Sequence, residues 1–224
     1  NTQAEALSMA FLYLPCLYVL WLMIRDVPKL EATTLEWSTG QYVLIFFALF
    51  FTTLIMTVTA LIEAKVRGIS IEELNEDNGT AFNKPLDYLT SLLLAPIMEE
   101  LFARKFIFDR LAGESLMLFI LFSVFCFGMI HFITGKLMVV LGMFYLGFML
   151  SLVYAASGAI YLPILYHALF NLLVVLIPEL LIKHDKEKQA IVFRLLLLSS
   201  GTTGFVLFLV QRNELLPADL WAQT

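Results

Sequence analysis

The chain has 224 residues, 60% of them hydrophobic and only 15% charged, with a mean hydropathy of +0.86. That is too apolar for an ordinary soluble domain and points to an integral membrane protein. Fourteen basic against nineteen acidic residues leave a net charge of −5, which excludes a basic surface for nucleic acid.

Seven apolar runs approach the roughly 17 to 25 residues with which a helix crosses a bilayer. They are residues 6–24, 42–62, 86–108, 115–133, 137–156, 159–182 and 191–211. None alternates polar and apolar at period two, so the expected fold class is all-α, a polytopic transmembrane helical bundle and not an outer-membrane barrel. The first run is long and lacks an Ala-x-Ala-like exit, which reads as a retained span. Because the sequence opens on Asn1, an eighth span nearer the amino terminus of a longer protein is compatible with it.

Three polar segments punctuate the runs. Arg25 to Gln41 carries Pro28, Gly40 and mixed charge and reads as a loop. In Glu63 to Asp87, Ser70-Ile-Glu-Glu resembles a capping box for a short surface helix, and "NEDNGT" reads as a turn. Asn78-Gly-Thr80 fits a glycosylation sequon, though such triplets are common by chance and a surface turn is the default. "HDKEKQ", His184 to Gln189, is a solvated loop between the last two runs. Without repeats or low-complexity tracts, residues 1–224 read as one domain, with a motif-bearing core at about 86–182.

Lys and Arg divide too evenly between the two sides for the positive-inside rule to orient the chain; discounting Arg104 as buried tips it towards a cytoplasmic amino terminus. Cys16 and Cys126 have no motif neighbours and read as structural thiols.

The informative residues are the polar ones inside the apolar runs. Glu99, Glu100 and Arg104 lie in "APIMEELFARKF", His131 in "FCFGMIHF", and His167 with Asn171 in "YHALFN". An ionised side chain in hydrocarbon is costly and normally has a partner and a task. On a helix, residues four apart share a face, so Glu100 is expected to pair with Arg104, whereas the i+4 neighbour of Glu99 is only Ala103. Glu99 is thus left free, and Pro96 loosens the helix just before it. If successive spans turn near Ala112 and Gly158, Glu99 lies about 19 Å, His131 about 28 Å and His167 about 13 Å from those turns, close enough for tilt to bring them to one polar cavity.

A carboxylate and an imidazole around one water make a general base, with Arg104 offsetting the local negative charge. His167 and Asn171, one turn apart, offer N–H donors for the oxygen of a tetrahedral intermediate. Water attack on a peptide carbonyl is the chemistry these groups suit. The structural alternatives stay open at this point: a lone His or Asn can simply link helices, and Glu100 with Arg104 can be an ion pair without chemical duty.

"EELFAR", "FGMIH" and "HALFN" resemble, in order, the EExxxR, FxxxH and HxxxN motifs of the CPBP (CAAX prenyl protease type II and bacteriocin-processing, or Abi) family of intramembrane glutamic proteases. The likeness covers roughly residues 86–176 and includes the approach "FYLGFMLSLVYAASGAIYLPILYHALFN". It implies a metal-free endopeptidase without cofactor, multi-pass in the membrane, cleaving a membrane-associated or prenylated, CAAX-type substrate; the compact length points to a prokaryotic cell membrane. Glu99 would activate water with His131, His167 and Asn171 would form the oxyanion hole, and Glu100 and Arg104 would support them. One departure is Lys105, where a glycine commonly follows the motif arginine.

Three rival readings remain. Glu99, Glu100, His131 and His167 could ligate zinc, although no HExxH is present and Arg104 disfavours a cation. Ser157 before Gly158 is a weak candidate for a rhomboid-like serine nucleophile. From another class, the chain could be a non-catalytic membrane scaffold that binds another membrane protein, as in bacteriocin immunity. Substrate-binding residues are not identifiable from the sequence.

Overall fold

A computed structural model describes residues 18, 19, 21, 22, 25–29, 34–76, 85–134 and 136–216. The sequon at Asn78, residues 77–80 of "NEDNGT", Cys16 and nearly all of the first predicted span lie outside the described residues, while Asn75 and Glu76, expected in a turn, end a helix. Those that are described form an all-helical bundle.

Helix α1 (Thr39–Arg67) opens on a capping box in which Ser38 Oγ accepts from the Gln41 amide and Gln41 Oε1 accepts from the Ser38 amide. It is interrupted at Phe50, where the Thr52 and Thr53 hydroxyls donate back to the carbonyls of Leu49 and Phe50, a pattern that bends helices. Gly68, left-handed at φ 69°, ends it. The short α2 (Ile71–Glu76) follows, with Ser70 Oγ accepting from the Glu73 amide as the sequence suggests.

After α3 (residues 85–111) come α4 (Leu116–Ile130), a 3₁₀ turn (His131–Thr134), α5 (Leu137–Ser157), α6 (Tyr161–Lys183), α7 (Glu187–Val210) and the single-turn α8 (Arg212–Leu215). Among the described residues four helices, α1, α5, α6 and α7, are long and apolar enough to cross a membrane. Helix α3 matches them in length but carries the charged residues Glu99, Glu100, Arg104 and Lys105 along its course. The fourth predicted run yields a helix of 15 residues, about 22 Å long against a hydrocarbon core of roughly 30 Å. It stops at His131 instead of passing it.

Helix α5 is the axis of the bundle. Of its most apolar stretch 61% is buried, against 28% or less in the other three long helices, and it packs on α1, α4 and α6. The outer helices turn large apolar side chains outward, such as Leu121, Phe122 and Phe125 on α4 and Leu195 and Leu196 on α7, as lipid-facing surfaces do. In lipid, helices associate through close packing and not through the hydrophobic effect. Gly201 and Gly204 of α7 show this: a Cβ on Gly201 would stand 2.3 Å from the carbonyl carbon of Phe50, and one on Gly204 would stand 2.6 Å from the Ala48 nitrogen.

Helix α3 is divided by two π segments, Thr90–Leu94 and Leu101–Lys105, and α6 contains a third, Asn171–Leu176. Their bonds run from i to i−5, as in Ala95 to Thr90, Phe106 to Leu101 and Ile177 to Leu172. Proline accounts for two of them. Pro96 and Pro178 each follow a π segment closely, and the wider turn relieves the clash between the ring and the carbonyl one turn before it.

Candidate active site

Glu99 and Glu100 close the six-residue α-helical piece, Ala95–Glu100, suspended between the two π segments of α3. Both side chains are buried. Glu100 Oε2 lies 3.1 Å from Arg104 Nε, and both side chains are fully excluded from solvent. Among the described residues neither of these atoms has an aligned hydrogen bond, so the contact is one of charge. The guanidinium is held elsewhere: Nη2 donates to the Gly147 carbonyl at 3.0 Å, and its carbon sits 4.2 Å from the centroid of the Phe127 ring, within cation–π range.

The other oxygen of Glu100, Oε1, is 2.9 Å from His167 Nδ1. A carboxylate held beside Arg104 can only accept, so Nδ1 of His167 carries the proton and Nε2 is turned the other way. His131 is set by a different partner. Its Nδ1 is 2.9 Å from the Phe127 carbonyl, which also only accepts, leaving Nε2 with the lone pair in the neutral ring. The two imidazoles then converge on Glu99: its Oε2 is 3.8 Å from His131 Nε2 and 3.9 Å from His167 Nε2, without a hydrogen-bond partner among the described residues.

Of the residues singled out in the sequence, the fold thus gathers Glu99, Glu100, Arg104, His131 and His167 from α3, the 3₁₀ turn after α4, and α6. Asn171 stands apart. Its Nδ2 donates at 2.9 Å to the carbonyl of Ser91 in the first π segment, so one amide proton is spent inside the protein. Lys105 extends along α3 to Asp109, at 2.7 Å and 40% exposed, away from the glutamates. Ser157 bonds to the carbonyls of Val153 and Ala159 at the end of α5. Among the described residues no group of three or more His, Cys, Asp and Glu side chains is arranged to hold a metal ion. The guanidinium already occupies the charge-compensating place beside Glu100.

Several residues that shape the site carry no signal at the level of motifs. Gly147 offers its carbonyl to Arg104, and a Cβ there would meet the Phe127 ring at 3.0 Å. Ser123 and Ser151, both fully buried, stand behind it.

The bundle thus gathers buried glutamates and histidines at one level, a polar site within apolar helices. Residues 81–173 match the family described as type II CAAX prenyl endopeptidase Rce1-like. The chain is also similar to a curated protein of Bacillus subtilis (strain 168), "Putative membrane peptidase YdiL", with 29% identity over 199 residues, 87% of this chain and 80% of the relative. No solved structure matches it. Together with the three motifs in order, these matches support a likeness to the CPBP family and to a membrane peptidase.

Proposed function

We propose that the protein is a metal-independent endopeptidase in which Glu99 and His131 activate a water for attack on a peptide carbonyl. The observation that carries this reading is the difference between the two glutamates. Glu100 is consumed by Arg104 and His167, while Glu99 Oε2 faces two imidazole nitrogens at 3.8 and 3.9 Å, a spacing suited to sharing one small polar molecule.

Glu99, with the lone pair of His131 Nε2, takes a proton as the water oxygen bonds to the carbonyl carbon. That proton then passes to the departing nitrogen as the carbon–nitrogen bond breaks. His167, its Nδ1–H engaged by Glu100, donates from Nε2 to the developing oxyanion when the ring is protonated, and the second amide proton of Asn171 is the other candidate donor. Placing such donors in a dry interior strengthens them, because no water competes.

The substrate we assign is a membrane-associated peptide, and its prenylated, CAAX-type form is supported by the description of the matching family. The test is cleavage of an internally quenched peptide bearing a farnesylated cysteine near its carboxyl terminus, beside its unprenylated counterpart, by protein in liposomes. Glu99→Gln is expected to remove cleavage by at least 10³-fold, on the order of 4 kcal/mol of transition-state stabilisation. Undiminished cleavage by that variant overturns the mechanism. Accumulation of uncut membrane peptides in cells carrying Glu99→Gln identifies the natural substrate.

A further inference from the structure

Behind Arg104, two buried hydroxyls join three helices. Ser123 Oγ on α4 is 2.7 Å from the Ala103 carbonyl, in the second π segment of α3, and 2.9 Å from Ser151 Oγ on α5. Ser151 Oγ is in turn 2.7 Å from the Gly147 carbonyl, the same oxygen that receives Arg104 Nη2 at 3.0 Å. Both serines are fully excluded from solvent.

Each hydroxyl has one proton, so two protons serve three short contacts. When the chain runs from Ser123 through Ser151, the Gly147 oxygen is shared between Ser151 and Arg104, and the Ala103 carbonyl loses its donor. When it runs the other way, the Ala103 carbonyl is served and Arg104 is the one side chain left on the Gly147 oxygen. Either way the backbone beside Glu100 and the anchor of Arg104 are coupled through the same two hydroxyls. Neither serine touches Glu99, His131 or His167, and both lie outside the EExxxR, FxxxH and HxxxN motifs.

We infer that Ser123 and Ser151 are positioning residues that hold Arg104 through the Gly147 carbonyl, and thereby set the orientation of Glu100 and His167. This rests on the proteolytic reading only for its effect on rate; the effect on His167 is independent of it.

The protein has three histidines, so imidazole 15N spectra of the full chain in detergent micelles can be assigned with single His→Gln variants. Ser123→Ala and Ser151→Ala are expected to shift the His167 resonances and leave those of His184, on the distant surface loop, in place. Ser123→Thr, which keeps the hydroxyl, restores them. In the farnesylated-peptide assay, each alanine variant is expected to lower kcat about tenfold with KM unchanged, the size of one buried hydrogen bond. Unmoved His167 resonances in a folded Ser123→Ala/Ser151→Ala double variant overturn the inference. No cleavage by the parent protein, beside shifted His167 resonances in the serine variants, overturns the proteolytic reading instead and leaves the positioning intact.

Discussion

Asn171 Nδ2 donates to the Ser91 carbonyl at 2.9 Å, tying the π segment of α6 to the first π segment of α3. The need for this bond originates at Pro96. In the π register the donor to Ser91 would be residue 96, which has no N–H, and Ala95 is already engaged by Thr90. Asn171→Ala removes the replacement donor and is expected to cost about 1 kcal/mol, read as a lower Tm in detergent, because a part-buried carbonyl loses its side-chain donor. Asn171→Asp, which sets a carboxylate against a carbonyl, costs at least as much. A loss of activity with unchanged Tm in the alanine variant points to a purely oxyanion-stabilising role.

Glu100 and Arg104 are expected to behave as a unit. Removing either partner strands the other charge in the interior, at about 3–5 kcal/mol, whereas removing both leaves no bare charge. Glu100→Gln/Arg104→Gln should therefore be more stable than the sum of the single losses predicts, in a double-mutant cycle on thermal denaturation. Arg104→Lys does not rescue, because a single ammonium cannot face Glu100, reach the Gly147 carbonyl and lie flat on Phe127 at once.

Lys105→Gln tests the departure from the family pattern. Among the described residues it pairs with Asp109 on the same helix, partly in solvent, and exposed pairs of this kind contribute about 1 kcal/mol or less. Cleavage and Tm are both expected to stay near those of the parent protein. A large fall in kcat without a fall in Tm indicates that Lys105 meets the substrate.

Gly201→Ala probes the seam between α7 and α1. The added methyl meets backbone atoms of Phe50 and Phe51 at 2.3 and 2.4 Å, and backbone cannot rotate aside as a side chain can. The helices must separate, and the expected loss is on the order of 1–3 kcal/mol. Gly128→Ala meets only the Phe144 ring and is expected to lose less. Equal Tm values for the two variants would contradict the close contact.

Chelation separates glutamate from metal chemistry. Treatment with a strong zinc chelator is expected to leave cleavage unchanged, since Arg104 supplies the positive charge that a cation would otherwise bring. Activity lost to the chelator and restored by zinc sinks the metal-free mechanism.

Much of this was legible in the sequence because it depends on local rotation. The apolar runs call for helices, and the spacing of Glu100 and Arg104 puts them on one face whatever surrounds them, so the ion pair could be written down before any fold was known. Glu99 was separable from Glu100 by the same argument. The order of the three motifs then pointed to the family that residues 81–173 match.

What only the tertiary structure decided lies between helices. The termination of α4 at His131, the second tie from Glu100 to His167, the use of Asn171 on Ser91 and the serine pair behind Arg104 are contacts between residues 28 to 80 positions apart or depend on such contacts. Helical periodicity says which way a side chain points around its own axis. It does not say how far neighbouring axes tilt, or where a π turn adds a residue to the register. Those depend on close packing at glycines such as Gly147 and Gly201, and on how the carbonyls freed near Pro96 find donors in a medium without water.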